Sequence, residues 1–134
     1  MRVAELMHGD VRTIGRDASV AELVQALADA RVSGLPVTDD RERVIGVVTA
    51  ADVLEAGAEQ GADTQGRTSL FEHTTVNDLM TANPYIIGPD EDVREAAKHM
   101  LYAEVRRLFV EDNGRLVGVI SQTDIAHAVG TGRI

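Results

Sequence analysis

An internal repeat constrains the fold of this 134-residue chain more than any other feature. Leu6-Met7 recurs as Leu79-Met80, a shift of 73 positions. Further along, the stretch Gly46-Val-Val-Thr-Ala-Ala-Asp52 aligns with Gly118-Val-Ile-Ser-Gln-Thr-Asp124 at a shift of 72. The one-residue difference falls in a polar stretch, where turns accept changes of length. Two copies of one supersecondary unit are therefore expected, and neither is large enough to bury its sheet alone.

Each copy has the pattern of a β-α-β-β-α unit, preceded by a short helix that ends at Met7 or Met80. Ser19 and Glu22 have the spacing of a capping box before an apolar helical stripe. Asn113-Gly114 favours a two-residue hairpin turn in the second copy. The predicted strands are 11–14, 35–38 and 44–48 in the first copy, and 85–87, 108–111 and 116–120 in the second.

The predicted fold class is α/β (α+β), with two β-α-β-β-α repeats packed sheet to sheet about a pseudo-twofold axis. The first repeat is expected at residues 1–60 and the second at 73–134. Between them, the polar and glycine-rich stretch 61–72 is interpreted as a linker.

The composition argues against several kinds of site and partner. The chain has no cysteine, so disulfides and thiolate metal sites are excluded, and its four scattered histidines do not favour a metal site. A net charge of −9 repels phosphate backbones, so DNA and RNA are not expected partners. An anionic ligand would need a local cluster of positive charge. No signal peptide or membrane-spanning run is evident, and we expect a soluble, cytoplasmic protein.

The repeated residues resemble a known family. Gly-apolar-apolar-Ser/Thr-x-x-Asp closes each copy, after Leu-Pro-Val-x-Asp at 35–39 or Val-x-Arg-Leu-x-Val-x-Asp at 105–112. This pattern is similar to that of the cystathionine-β-synthase (CBS) domain, and the pair resembles a stand-alone Bateman module. The resemblance implies a non-catalytic regulatory homodimer that binds AMP, ADP, ATP, S-adenosylmethionine or an NAD-type ligand in the cleft between repeats. It implies no required cofactor, and it allows a regulated partner protein in trans.

Four polar residues are the main candidates for ligand binding: Thr49, Asp52, Ser121 and Asp124. Ser or Thr followed three residues later by an acid is typical of a helix N-cap. Capping alone is one interpretation, and capping combined with binding is the other. Since Asp is shorter than the Glu that usually completes a capping box, we expect the carboxylates to stay exposed and accept hydrogen bonds from ribose hydroxyls. The free N–H groups of the helix would face a phosphate.

Arg106 and Arg107 form the positive cluster that an anionic ligand requires. The resemblance implies that they contact the phosphate of the ligand whose ribose is held by Asp52. The matching positions, Ser33 and Gly34, carry no charge, so the two sites should differ. The alternative is a solvated pair with structural ion pairs, such as Arg107 with Glu104 or Asp112.

The resemblance also places Thr13, Ile14, Tyr85 and Ile86 along the adenine, although core packing explains them equally well. Two other functions stay open at this point. One is a protein-interaction module with empty or vestigial clefts. The other, an enzyme, is not favoured, because the sequence has no plausible Ser-His-Asp or Cys-His arrangement.

Overall fold

The computed structural model describes residues 1–59 and 72–134, so nearly all of the predicted linker lies outside the described residues. The helices are α1 (Val3–Leu6), α2 (Val20–Ala30), α3 (Ala50–Glu59), α4 (Val76–Leu79), α5 (Val93–Ala103) and α6 (Gln122–Gly130). The strands are β1 (Ile14–Gly15), β2 (Gly34–Thr38), β3 (Val44–Thr49), β4 (Thr81–Ala82), β5 (Ile86–Ile87), β6 (Arg107–Asp112) and β7 (Arg115–Ser121). No helix of these described ranges is long and apolar enough to cross a membrane.

The chain forms two units, and we name each after the sequence repeat that supplies its sheet. The first-repeat unit comprises residues 12–40 and 44–83, and its sheet has the order β1-β2-β3-β4. The apolar stripe of α2 packs on the buried face of β2 and β3, as the helical spacing predicts. Its buried core consists of Leu23, Leu27, Leu35, Val37, Val48 and Val76.

The second-repeat unit comprises residues 1–11, 41–43 and 84–134, and its sheet has the order β5-β6-β7. The hairpin predicted at Asn113-Gly114 is confirmed: Asp112 pairs with Arg115, and the two turn residues have φ of 53° and 79°. Two positive φ values are what a type I′ turn requires. The core of this unit consists of Val3, Ile87, Val93, Ala96, Met100, Leu108, Val110, Ile120 and Ile125.

The short helix that precedes each repeat belongs to the unit of the other repeat. Val3 of α1 lies in the core of the second-repeat unit, and Val76 of α4 lies in the core of the first-repeat unit. The compact units therefore divide the chain differently from the sequence repeats. The repeat boundaries at 60 and 73 and the packing of the two sheets on each other stay predictions.

Two glycines of the repeat motif allow the short helix of one sequence repeat to pack in the unit of the other. A Cβ on Gly118 would lie 2.6 Å from Met7 Sδ and 2.9 Å from the carbonyl oxygen of His8. A Cβ on Gly46 would lie 2.7 Å from Met80 Sδ and 2.9 Å from the carbonyl oxygen of Thr81. The repeated Leu-Met and Gly-Val motifs therefore interact directly, each methionine on the glycine of the other sequence repeat.

The first predicted strand, 11–14, is wrong in its extent, because β1 begins only at Ile14. In the other unit, Phe109 N–H donates to the carbonyl of Tyr85 at 3.2 Å, and Ile86 pairs with Phe109. The residue equivalent to Phe109 is Pro36, which has no N–H to donate. The pairing of β1 with β2 therefore starts one residue later than the pairing of β5 with β6. The two-residue strand β4 was not predicted.

We predict that Gly118→Ala lowers the free energy of unfolding by about 1–3 kcal/mol, the usual cost of overpacking. The methionine side chain can rotate about its own bonds, but the His8 carbonyl belongs to the backbone and is held by its hydrogen bond from Val119 N–H. The measurement is urea unfolding followed by circular dichroism.

The matched control is Gly130→Ala, because a Cβ on Gly130 would meet nothing within 4 Å. This substitution should be neutral or slightly stabilising, since alanine is the better helix former. Equal stability of the two variants would contradict the packing account.

Candidate functional site

The four polar candidates form two reciprocal helix caps. At the start of α3, Thr49 N–H donates to Asp52 Oδ2 at 2.7 Å, and Asp52 N–H donates to Thr49 Oγ1 at 3.2 Å. At the start of α6, Ser121 N–H donates to Asp124 Oδ2 at 2.9 Å, and Asp124 N–H donates to Ser121 Oγ at 3.1 Å. The capping interpretation is confirmed at both positions.

The expectation that the aspartates are too short to complete a capping box is wrong. Each carboxylate is half-buried and reaches the cap N–H with its Oδ2 atom. Each cap thus uses one carboxylate oxygen and leaves the other, Oδ1, for a further donor. Within residues 1–59 and 72–134, no hydrogen bond to Asp52 Oδ1 is formed.

At Asp124 the remaining oxygen is already engaged by His8. His8 Nε2 lies 2.8 Å from Asp124 Oδ1, and the side chains are 69% and 17% exposed, respectively. Burial alone would raise the pKa of Asp124, but hydrogen bonds from His8 and Ser121 outweigh it and hold the pKa below its ordinary value. Sequence patterns gave no indication of this contact, because it joins residues at opposite ends of the chain.

Arg106 and Arg107 flank the start of α6 within their own unit. Arg107 is the ladder partner of Ser121, and the carbonyl of Arg106 accepts a hydrogen bond from Gln122 N–H at 2.8 Å. Both side chains are exposed. In the described part of the chain neither guanidinium lies within 4.0 Å of a carboxylate, so the suggested ion pairs of Arg107 with Glu104 or Asp112 are not formed. The alternative of a solvated arginine pair agrees with the exposure of both side chains and stays open.

The corresponding place in the first-repeat unit is uncharged. Gly34 is the ladder partner of Thr49, and the carbonyl of Ser33 accepts from Ala50 N–H at 2.8 Å. A Cβ on Gly34 would lie 3.1 Å from Thr49 Cγ2, so a larger residue would press on the threonine that caps α3. The two caps therefore differ in charge, as the sequence comparison predicts.

The residues expected along the adenine lie away from the caps within each unit. Thr13 and Ile14 lie at β1, and β2 separates this strand from the cap at the end of β3. Tyr85 and Ile86 lie at β5, and β6 separates it from β7. Thr13 and Tyr85 are exposed, whereas Ile14 packs against the core, so their role in binding an adenine stays a prediction.

The side chains that could hold a metal do not cluster. Among residues 1–59 and 72–134, no group of three or more His, Asp or Glu side chains has the arrangement of a metal site. The candidate binding groups are the carboxylate acceptors of the two caps and the exposed arginines, each described within its own unit. The expectation that the first N–H groups of these helices are free is wrong, because Ala50 N–H and Gln122 N–H donate to the carbonyls of Ser33 and Arg106.

The chain belongs to the CBS-domain family, whose sequence pattern matches residues 3–59 and 76–131. Its fold is that of a tandem CBS pair. Among solved structures, the complex of CBSX2 with AMP has a TM-score of 0.79 and 28% identity, with 97% of each chain covered. The CBS domain pair of MJ0100, in complex with 5′-methylthioadenosine and S-adenosyl-L-methionine, has a TM-score of 0.77 at 22% identity, with 98% of each chain covered, and shows the fold alone.

Curated relatives include longer proteins. The uncharacterized protein MJ1225 of Methanocaldococcus jannaschii is 28% identical over 96% of this chain and 43% of its own length. The chloroplastic CBS domain-containing protein CBSX2 of Arabidopsis thaliana is 27% identical over 89% of this chain and 58% of its own length. The chain thus spans less than two thirds of these relatives.

The lowered pKa of Asp124 generates a prediction about acid stability. The unfolded chain binds this proton more readily than the folded one, so the stabilisation is complete above the ordinary value of 3.8 and is lost as pH falls through the lower folded pKa. The difference in unfolding free energy between wild type and Asp124→Asn should be constant from about pH 6 to 5 and shrink toward about pH 3. Urea titrations at each pH measure it, and an unchanging difference would contradict the assignment.

Proposed function

We propose that this chain is a non-catalytic regulatory CBS pair that binds an adenosine-containing ligand, with AMP as the first candidate. One observation supports the proposal above the others: while Asp52 Oδ2 completes the cap at the N-terminus of α3, its Oδ1 accepts no hydrogen bond from residues 1–59 or 72–134. The AMP complex of CBSX2, at 28% identity over 97% of the chain, supports the choice of ligand. ADP, ATP, S-adenosylmethionine and NAD-type ligands share the adenosine group that this site would recognise.

The chemistry of the site suits such a ligand. A carboxylate oxygen accepts hydrogen bonds from ribose hydroxyls, and a charged acceptor makes these bonds stronger than neutral ones. The positive ends of the helix dipoles of α3 and α6 favour a phosphate. Arg106 and Arg107 supply exposed positive charge on a chain whose net charge is −9. Their assignment to the ligand held by Asp52 stays a prediction.

A protein-interaction function is the second candidate, because several large apolar side chains on helices are exposed. Leu54 is 73% exposed on α3, and on α5 Leu101 is 73% and Tyr102 is 94% exposed. Apolar surface of this kind is typical of protein contacts. The homodimer, a regulated partner protein and a cytoplasmic location remain part of the proposal and call for their own tests.

We predict that Asp52→Asn weakens AMP binding at the Asp52 site at least about tenfold, the range expected for losing charged hydrogen bonds to a hydroxyl. The measurement is isothermal titration calorimetry with purified protein. Folding is checked by circular dichroism.

The matched control is Asp78→Asn. Asp78 completes the same kind of cap, with Thr75 N–H donating to its Oδ2 at 2.9 Å, but it lies outside the predicted site. This variant should keep wild-type affinity for AMP. Equal affinity of wild type and Asp52→Asn would exclude the ribose role, and no binding of AMP or its relatives to wild type would favour the interaction function.

The arginines generate a separate prediction about the phosphate. The double variant Arg106→Ala/Arg107→Ala should lose affinity for AMP but keep its affinity for adenosine, because only AMP carries the anionic group that arginine binds. Comparing the two ligands by calorimetry isolates this effect from any general damage.

The control for net charge is Arg94→Ala/Arg133→Ala, which removes two exposed arginines outside the predicted site. Affinity for AMP should stay close to wild type in this variant. If both double variants weaken AMP equally, the effect comes from long-range electrostatics, and Arg106 and Arg107 do not contact the phosphate.

A further inference from the structure

The contact between His8 and Asp124 has no counterpart among the described residues of the first-repeat unit. His8 is fixed in place by its backbone, because it forms two hydrogen bonds of 2.9 Å with Val119 beside β7. This position lets its side chain reach the start of α6, where Nε2 lies 2.8 Å from Asp124 Oδ1. Since Ser121 N–H holds Oδ2, both oxygens of this carboxylate have a partner.

The equivalent position in the first-repeat unit is Thr81. It pairs with Val47 of β3, just as His8 pairs with Val119 of β7, so the two residues occupy the same register. A threonine side chain is shorter than a histidine, and within the described ranges no hydrogen bond joins Thr81 to Asp52. At equivalent backbone positions, His8 therefore contacts Asp124 Oδ1, whereas Thr81 forms no described hydrogen bond with Asp52.

We propose that His8 competes with the ligand for Asp124, so that the two CBS sites differ in affinity and the Asp52 site fills first. This inference rests on the proposed function, because it assumes that each aspartate binds ribose hydroxyls. A ligand at Asp124 must displace the imidazole from Oδ1, whereas a ligand at Asp52 displaces no side chain from that oxygen. His8 thus determines how the module responds to rising ligand concentration.

The expected loss of ligand affinity at the Asp124 site follows from the exposure of His8. A pair in which one side chain is largely solvated contributes little to stability, so its loss on ligand binding should cost about two- to fivefold in affinity. This difference in affinity adds to any difference that the arginines cause, and it leaves both sites able to bind.

The test uses two backgrounds, each with one intact aspartate, and AMP as the probe. Asp52→Asn leaves only the Asp124 site, and adding His8→Thr gives it the residue of the other repeat. We expect the second substitution to raise AMP affinity about two- to fivefold. In the Asp124→Asn background, His8→Thr should change nothing, because the competed carboxylate is already altered. Calorimetry, with ligand-detected NMR for weak binding, measures all four proteins.

The outcomes separate the two proposals. Unchanged or weaker AMP binding after His8→Thr in the Asp52→Asn background would overturn the competition, while binding by wild type would leave the proposed function intact. AMP binding that appears only once His8 is replaced would support the competition in its strongest form. Absence of binding by wild type and by every variant would overturn both proposals together.

Discussion

The packing of Met7 on Gly118 and of Met80 on Gly46 is the interaction on which the rest of the structure depends. In both places a Cβ would lie within 2.9 Å of a sulfur and of a backbone carbonyl, so only glycine allows the approach. The chain segment after each methionine then lies beside the last strand of the sheet, Thr81 opposite Val47 and His8 opposite Val119. Each unit therefore needs a segment from the other sequence repeat, and this explains why the short motif before each repeat recurs together with the glycine motif.

The same packing determines the properties of the candidate site. Once the segment after the methionine is in place, residue 8 or 81 lies beside the strand that leads into the capped helix. A histidine there reaches the carboxylate of that helix, and a threonine does not. One substitution in a repeated framework thus produces two chemically different caps. Each cap uses only one of the two oxygens of its aspartate, and we propose that the other oxygen serves binding.

The repeat, the order of elements and the reciprocal caps could be predicted from the sequence, because they follow from local patterns. Helical stripes, the Asn113-Gly114 turn and the Ser/Thr-x-x-Asp spacing each depend on a few neighbouring residues. The start of β1 at Ile14 could not be predicted from apolar pattern alone, because it depends on Pro36 in the neighbouring strand. The contact of His8 with Asp124 joins residues far apart in the chain, and no local spacing indicates it. The packing of α1 in the second-repeat unit and of α4 in the first-repeat unit could not be predicted either, because a sequence repeat does not indicate which copy of a helix packs on which sheet.

A crystal structure of the protein grown with AMP tests the central claim most directly. The account predicts ribose hydroxyls within hydrogen-bonding distance of Asp52 Oδ1, with Thr49 still donating its N–H to Oδ2 of the same carboxylate. Occupancy at Asp124 should be lower, with His8 moved away from Oδ1 wherever AMP is present. AMP bound with its ribose away from both aspartates, or no AMP at saturating concentration, would contradict the account.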